Sequence, residues 1–338
     1  MRILILGGTI FVGPHLIDAA HAAGHSVTIF HRGRHPFAPR DGVEVIVGDR
    51  TNAADLAALA ERGRAGGGTW DAVIDTCGYL PRVVRASALA LRESARCYVF
   101  ISSLSALADT FGAGDEDAAT APRLAVEPTA MTGETYGALK AGCEDAVRDV
   151  FGDGAVIVRP GYIVGPLDPS DRYTYWIRRI ARGGDVLAPG DGSRKLQFVH
   201  ARDLADFTVS LATRVAAMVP SAATPTAPRT FHVTGHSLRF DAFLAGVASA
   251  CGTAPTIRWV PEDVLLANAA NGWTNLPIWS PGEDHVSRID RALAAGLSLR
   301  DPVATAADTL VWDRSRDASR PLVAGMDAAL ESEILGRG

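Results

Sequence analysis

The N-terminal half of the sequence alternates short apolar runs with segments of helical periodicity. Each run is rich in β-branched residues and has the length of a buried strand. Strands that alternate with helices need crossover connections, which are right-handed and place the strands parallel in one sheet. We therefore predict an α/β fold built on a doubly wound parallel sheet. The predicted strands are 2–6, 26–30, 43–47, 72–75, 98–102 and 155–159, and the predicted helices are 13–23, 53–64, 81–94 and 134–150.

The alternation weakens after Pro160, where Pro, Gly and aromatic residues become denser. Five of the six tryptophans lie in this later part of the chain. A helix over 203–213 and a strand over 230–233 are predicted to return to the parallel sheet, and 219–229 to form a surface loop. The sequence thus predicts one domain of residues 1–165 plus about 201–235, and a smaller C-terminal domain of about 166–200 and 236–330.

Composition argues against several classes of protein. With 33 Lys+Arg against 38 Asp+Glu and a net charge of −5, the chain lacks the basic excess of a nucleic-acid-binding surface. It has no run of about 18 apolar residues, so no membrane span is expected, and its first apolar run is too short for a signal peptide. The four cysteines form no CxxC pair, so we expect free thiols, no metal site and a cytoplasmic location.

The first predicted strand leads directly into a glycine-rich loop, and a predicted helix follows. Glycines let backbone N–H groups approach a pyrophosphate closely, and the helix N-terminus adds partial positive charge. At a strand–loop–helix junction, this pattern favours a dinucleotide-binding, Rossmann-type domain over an ordinary turn. The residues of the loop are Gly7, Gly8, Thr9, Ile10, Phe11, Val12 and Gly13.

The corner after the second predicted strand indicates which dinucleotide binds. NAD sites usually place an acid there, whereas this chain has His31, Arg32 and Arg34. Guanidinium groups match the oxygens of a 2′-phosphate, so NADP is favoured over NAD. The alternative is that these arginines are solvated surface charges. Asp49, after the third strand, is a candidate adenine contact or a helix N-cap.

A serine at a strand end and two residues of a predicted helix suit carbonyl chemistry. Ser103 follows the fifth strand, at the edge where ligands bind in such sheets. Tyr136 and Lys140, four residues apart, lie on one helical face. A nearby ammonium lowers the pKa of a phenol, and a serine hydroxyl stabilises charge on a substrate oxygen. Of the 33 basic residues only Lys140 and Lys195 are lysines, so Lys140 points to chemistry that Arg cannot perform.

Together these motifs resemble an extended short-chain dehydrogenase/reductase of the NAD-dependent epimerase/dehydratase family, with an atypical glycine loop. The loop has Ile10 at the usual middle glycine. Leu104 and Ser105 stand where dehydratases carry an acidic pair, and Leu107 where epimerases often place Tyr. The matching stretches are GGTIFVG (7–13), GDR (48–50), FISSLS (100–105), YGALK (136–140), RPGYIVGP (159–166) and QFVHARDLA (197–205).

The resemblance implies roles for individual residues. Ser103 matches the catalytic serine, Tyr136 the acid/base, and Lys140 the residue that holds the ribose and tunes the tyrosine. It also implies that the smaller domain binds the substrate. Further cofactor-binding candidates are His31, Arg32, Asp49, Arg50, Thr76, Cys77, Gly78, Lys140, Pro160 and Ile163.

Candidate substrate contacts carry structural alternatives. Ser105 is a substrate candidate or a turn cap, and Arg194 a phosphate contact or a structural residue. His200 is a pocket residue or a satisfied buried histidine, and Lys195 a phosphate contact or a solvated loop lysine. The aromatic candidates, which would stack on a flat substrate or form plain core, are Tyr173, Tyr175, Trp176 and Trp273.

The expected function is NAD(P)-dependent hydride transfer at a secondary alcohol or ketone of a small molecule, a nucleotide sugar or a natural-product intermediate. Net reduction and epimerisation share every candidate residue and stay open. The alternative is a non-catalytic dinucleotide-binding protein with a regulatory or RNA-associated role. We expect a small-molecule substrate, no nucleic-acid or membrane partner, and a homodimer or a monomer.

Overall fold

The computed structural model describes residues 1–37, 40–65, 68–110, 112, 114–218, 229–268, 270, 274–317 and 319–336. Within them the strands are β1 (Arg2–Leu6), β2 (Ser26–His31), β3 (Val43–Val47), β4 (Trp70–Asp75), β5 (Ala95–Ile101), β6 (Ala155–Pro160), β7 (Tyr162–Val164), β8 (Asp185–Pro189), β9 (Lys195–Leu196), β10 (Phe198–His200), β11 (Thr230–Val233), β12 (Leu238–Arg239) and β13 (Thr256–Val260).

Helices connect these strands. Their bounds are α1 (Val12–Ala22), α2 (Ala53–Arg64), α3 (Pro81–Leu91), α4 (Tyr136–Phe151), α5 (Arg172–Ala181), α6 (Ala201–Ala217), α7 (Phe240–Cys251), α8 (Glu262–Ala267), α9 (Asp290–Ala294), α10 (Pro302–Arg314) and α11 (Ala328–Gly336). Short 3-10 turns cover Leu104–Ala106 and Gly152–Gly154. In the part of the chain that the structure describes, no helix has the length and apolar character needed to cross a membrane.

The main sheet has seven parallel strands in the order β11-β6-β5-β4-β1-β2-β3. The order reverses between β1 and β4, which defines the crevice where ligands bind in open α/β sheets. This confirms the predicted doubly wound parallel sheet. Each predicted strand is present, and its ends differ from the prediction by at most three residues.

The central strand β1 is buried on both faces because helices cover both sides of the sheet. Ile3 and Ile5 belong to a core shared with α1 and α6. Leu4 and Leu6 point to the opposite face and pack with α2, α3 and α4. Successive side chains of a strand alternate between faces, so an apolar run such as β1 fits a strand with two covered faces.

A second core forms from the later part of the chain. Tyr175 and Trp176 are buried within it, and the indole of Trp176 donates a hydrogen bond of 2.7 Å to the carbonyl of Pro277. Trp176 also packs edge-to-face on Phe240, and Tyr173 packs on Phe243. The prediction that Tyr175 and Trp176 contact substrate is wrong, because α5 turns them into this core. The division into two domains stays a prediction.

Two expectations fall outside the described residues. Nearly all of the loop predicted over 219–229 lies there, and so does Trp273. The four cysteines Cys77, Cys97, Cys143 and Cys251 are free thiols.

Candidate active site

A cavity of about 1560 Å³ opens at the carboxyl ends of the parallel strands. It runs from the glycine loop after β1, past the ends of β2 to β6, to residues 285–287. Loops that follow parallel strands share one edge of the sheet, so segments distant in sequence meet in this cavity. Among the described residues, no group of three or more His, Cys, Asp or Glu is arranged to hold a metal ion.

The loop between β1 and α1 requires glycine at both of its ends. At Gly7, whose φ is +93°, a Cβ atom would lie 2.5 Å from the Oγ1 of Thr76. At Gly13 a Cβ atom would lie 2.3 Å from the carbonyl of Gly8, so α1 packs directly on the loop backbone. Gly8 has a φ of +83° and Phe11 a φ of +48°. The loop therefore follows a tightly curled path that larger residues at the glycine positions would disrupt.

This loop fits the pyrophosphate of a dinucleotide. The first N–H groups of an α-helix lack acceptors within the helix, and the described structure shows no side-chain cap on α1. The helix therefore presents partial positive charge to the cavity. Five consecutive loop residues line the cavity beside Gly7, namely Gly8, Thr9, Ile10, Phe11 and Val12.

Basic residues lie at the rim beyond β2. Arg32 and Arg34 line the cavity and are exposed, and within the described structure neither forms an ion pair. His31 also lines the cavity, and its Nδ1 accepts a hydrogen bond from the N–H of Gly33 at 3.0 Å. Both arginines thus remain available to an anionic group of a ligand.

Asp49 lies at the same rim. One carboxylate oxygen accepts hydrogen bonds from the backbone N–H (2.9 Å) and hydroxyl (2.8 Å) of Thr51. These bonds lower the pKa of Asp49, and Arg32 and Arg34 lower it further. The N-cap of α2 is Asn52, so the suggestion that Asp49 caps the helix is wrong.

Arg50 is committed to a buried ion pair. Its guanidinium donates two hydrogen bonds of 2.7 Å to the carboxylate of Asp75. The hydroxyl of Tyr98 also donates to Asp75, at 2.7 Å. Burial opposes ionisation of Asp75, but the charge and hydrogen bonds of Arg50 outweigh it, and the pKa of Asp75 is lowered. Arg50 therefore supports the wall of the cavity, which Thr76 and Cys77 also line.

Ser103 and Tyr136 both line the cavity. Tyr136 is the first residue of α4, and the hydroxyl of Ser103 is near enough to its phenol to lower the pKa of that phenol. The Oγ of Ser103 also accepts a hydrogen bond of 3.1 Å from the N–H of Ser105. The pKa of Tyr136 is raised by burial, although the hydroxyl of Ser103 and the charge of Arg172 oppose the rise. Tyr136 thus holds its proton at neutral pH.

Lys140 lies one helical turn beyond Tyr136 and is buried. Its Nζ donates hydrogen bonds to the carbonyls of Ile101 (2.7 Å) and Gly78 (2.9 Å), and lies 4.5 Å from the centroid of the Phe100 ring. Burial lowers the pKa of Lys140 to about 8. The expectation that Lys140 lowers the pKa of Tyr136 is wrong for this structure, because that pKa is raised and the cation that opposes the rise is Arg172.

Two predicted substrate residues lie away from the cavity lining. Arg194 forms an ion pair with Glu262, with an N–O distance of 3.2 Å. His200 is buried at the N-terminus of α6, where its Nδ1 accepts a hydrogen bond of 3.0 Å from the N–H of Arg202. Lys195, an exposed residue of β9, also lies outside the lining. Ser105 does line the cavity, as do Pro160 and Ile163.

The sequence analysis missed the wall opposite the glycine loop. Arg172 at the start of α5 lies over the ring of Tyr162, 5.6 Å from its centroid, and its Nε donates to Ser170 at 3.1 Å. His285 lies 5.2 Å from Tyr162 between ring centroids. The matching stretches 159–166 and 197–205 gave the signals here, through Tyr162 and through Gln197, whose amide hydrogen-bonds the backbone of Ser287.

Residues 3–224 match the model of the NAD dependent epimerase/dehydratase family. The chain belongs to this family. This confirms the resemblance seen in its motifs. Membership supports an enzyme of the oxidoreductase or epimerase type with a dinucleotide cofactor, as found in short-chain dehydrogenases/reductases.

Two curated proteins are similar to part of the chain. The 2′-dehydrokanamycin reductase of Streptomyces kanamyceticus is 29% identical over 213 residues, which cover 60% of this chain and 55% of the relative. The chloroplast stem-loop binding protein of 41 kDa b of Arabidopsis thaliana is 26% identical over 220 residues, which cover 60% of this chain and 53% of the relative. The match thus spans about half the length of each relative.

Solved structures resemble the chain over nearly its whole length. The UDP-glucuronic acid 4-epimerase from Bacillus cereus in complex with NAD gives a TM-score of 0.66 at 16% identity, covering 93% of this chain and 99% of that one. An epimerase from Burkholderia cenocepacia, described as putative, gives 0.69 at 18% identity, covering 93% and 98%. At these identities the likeness shows the fold.

Proposed function

We propose that the protein is an NADP-dependent reductase that transfers hydride to a ketone of a small molecule through Ser103, Tyr136 and Lys140. The observation that carries the proposal is that Ser103, Tyr136 and the buried Lys140 line one cavity together with the glycine loop. The likeness to a reductase from Streptomyces kanamyceticus supports the same reaction class.

Each side chain has a defined task in this mechanism. Bound NADPH supplies the hydride to the carbonyl carbon. Tyr136, protonated at neutral pH, donates its phenolic proton to the carbonyl oxygen, and Ser103 hydrogen-bonds that oxygen while negative charge develops on it. Lys140 uses two of its three N–H donors on backbone carbonyls. We assign the third to the cofactor ribose.

The cofactor preference rests on the arginines at the rim. Arg32 and Arg34 stand where an NAD site usually carries an acid, and their guanidinium groups suit a 2′-phosphate. NADP is therefore proposed ahead of NAD, and the glycine loop with the uncapped α1 terminus would hold the pyrophosphate in either case.

The decisive experiment replaces the phenol. Tyr136→Phe should lower kcat for NADPH-dependent ketone reduction by about 10²–10⁴-fold, the usual worth of a general acid, and leave the Kd for NADPH unchanged. Tyr79→Phe, a second tyrosine that lines the cavity, is the control and should retain activity. Full activity of Tyr136→Phe would contradict the mechanism. Conversion of the substrate without net NADPH consumption would indicate an epimerase instead.

A second candidate is a dinucleotide-binding protein associated with RNA. The likeness to a chloroplast stem-loop binding protein favours it, whereas the net charge of −5 weighs against it. Titration of stem-loop RNA at several salt concentrations separates the candidates. Tight binding that weakens steeply with salt and is unaffected by Tyr136→Phe would support the RNA-associated role.

A further inference from the structure

One wall of the cavity lacks the net positive charge that is usual where a protein binds an anionic substrate. We call this wall the substrate end and define it by Tyr162, Asp168, Arg172, Gln197, His285 and Ser287. Among the six residues that define the substrate end, Arg172 is the only lysine or arginine. It shares the region with the carboxylate of Asp168, which is 3% exposed. These two charges cancel.

The other groups of the substrate end add no positive charge. Burial lowers the pKa of His285, so its imidazole is neutral at pH 7. Its Nε2 lies 2.7 Å from the Oγ of Ser280, and Tyr162 is hydrogen-bonded to the same serine. Glu134, which also lines the cavity, is exposed and acidic. The charged side chains of the substrate end, Arg172 and Asp168, therefore sum to zero.

Among the described residues, no further lysine or arginine lines the substrate end; Arg288, which follows Ser287, pairs with Asp290 outside the lining. Arg194, the sequence-based candidate for a phosphate contact, faces Glu262 outside the lining. The internal segments outside the described residues contain neither lysine nor arginine. The remaining basic residues of the lining, such as Arg32 and Lys140, lie at the glycine-loop side, where the dinucleotide is proposed to bind.

A nucleoside diphosphate carries at least two negative charges and is commonly bound by arginine forks. Binding removes such a group from water, which costs free energy. A wall without net positive charge attracts the diphosphate too weakly to offset that cost. Hydroxyl, imidazole and phenol groups instead suit the hydroxyls of an uncharged ring, and the face of Tyr162 offers it an apolar surface.

Resting on the reductase proposed above, we infer that the substrate is a hydroxylated ketone without a phosphate group, held by Arg172 through its oxygen atoms. A sugar or cyclitol ketone has this chemistry, whereas a nucleotide sugar does not. Arg172 then determines specificity, since its guanidinium reaches the oxygens of the ring while Tyr136 and Ser103 hold the reacting carbonyl.

Binding and turnover test this inference separately. With the protein saturated by NADP⁺, so that the dinucleotide site is filled, calorimetric titration with UDP and UDP-glucose should show no binding tighter than about 1 mM. With NADPH, a panel of phosphate-free cyclitol and sugar ketones should contain a substrate, whereas UDP-4-keto-glucose should not be reduced. Binding of UDP-glucose with a Kd below about 0.1 mM would overturn the inference.

Variants of Arg172 locate the contact. Arg172→Gln should raise KM for the active ketone by about tenfold to hundredfold, the range for a lost charged hydrogen bond, with a smaller change in kcat. Arg172→Lys should recover part of the loss. Arg258→Gln, at an exposed ion pair with Asp185, is the control. An unchanged KM in Arg172→Gln would remove Arg172 from substrate recognition.

Failure of the proposed reductase function would give a different experimental result from failure of the inferred substrate class. If the protein binds NADPH but reduces neither the phosphate-free panel nor UDP-4-keto-glucose, the reductase proposal fails, and with it the inferred substrate. If UDP-4-keto-glucose alone is reduced in a Tyr136-dependent manner, the reductase stands and the inferred substrate class is wrong.

Discussion

Arg159 and Glu144 form a buried, two-pronged ion pair that joins β6 to α4. The Nε and a terminal nitrogen of Arg159 donate to the two carboxylate oxygens at 2.8 and 2.7 Å, and both side chains are almost fully buried. Glu144 also accepts a hydrogen bond of 2.6 Å from the hydroxyl of Ser102, next to Ser103. The pair thus ties the helix that carries Tyr136 to the strand end that carries Ser103.

Glu144→Gln should destabilise the protein strongly. Burial raises the pKa of Glu144, but the hydrogen bonds and charge of Arg159 outweigh it and keep the carboxylate ionised. Removing one partner of a buried pair leaves the other charge uncompensated and costs about 3–5 kcal/mol. Asp145→Asn, at an exposed neighbouring site, should cost about 0–1 kcal/mol. Equal unfolding free energies of the two variants in urea would contradict this prediction.

Gly13→Ala should disrupt the dinucleotide loop. Its Cβ atom would lie 2.3 Å from the carbonyl of Gly8, so α1 must move away from the loop whose N–H groups face the pyrophosphate. We expect a loss of about 1–3 kcal/mol in stability from overpacking, and at least about tenfold weaker binding of NADPH.

The matched control for this variant is Gly246→Ala in α7. Its Cβ atom would lie 3.6 Å from Val303, an ordinary contact, and alanine is favoured over glycine in a helix by about 1 kcal/mol. Calorimetric titration with NADPH and thermal unfolding measure both effects. Wild-type affinity in Gly13→Ala would show that the contact between loop and helix is not needed.

The sequence could predict the sheet and the centre of the site because their signals are local. An apolar run such as β1, a glycine loop before a helix, and Tyr136 one turn from Lys140 are readable over a few residues. Ser103 could be placed near them because parallel strands present their ends at one edge. The sequence pattern did not predict that Lys140 bonds the carbonyls of Ile101 and Gly78, since every residue has a carbonyl.

The substrate end was poorly predicted because long-range packing determines it. Trp176 is buried since α5 packs against Phe240 and Phe243, which lie more than sixty residues later in the sequence. The same helix presents Arg172 at its first turn to the cavity. Residue type alone therefore gave a wrong prediction for α5. Aromatic residues near a site more often pack in the core than contact a ligand, and here Arg172 of the same helix lines the cavity instead.

Lys140 makes stability depend on pH in a defined window. Burial lowers its pKa from 10.5 to about 8 in the folded protein. Between about pH 8 and 10.5 the unfolded chain binds more protons at Lys140 than the folded protein does. The contribution of Lys140 to the unfolding free energy therefore rises with pH in this range. Below pH 8 both states are protonated, and the burial cost, about 3 kcal/mol at 1.36 kcal/mol per pKa unit, is present in full.

The measurement compares Lys140→Met with the wild type by urea unfolding without cofactor from pH 7 to 10. Methionine lacks the titrating group, so the stability of the variant relative to the wild type should fall as pH rises above 8. Lys195→Met, at an exposed site on β9, is the matched control. A pH-independent difference for Lys140→Met would mean that Lys140 keeps its ordinary pKa in the folded state.

Arg32→Ala tests the proposed cofactor preference. Arg32 is exposed at the rim of the cavity and forms no ion pair within the described structure, so its removal should leave stability unchanged. If its guanidinium binds the 2′-phosphate, the Kd for NADPH should rise by about tenfold to hundredfold, as for other charged hydrogen bonds, while the Kd for NADH stays constant. Arg62→Ala, whose partner Glu44 lies outside the cavity, is the control. Equal losses for NADPH and NADH would exclude a phosphate clamp at Arg32.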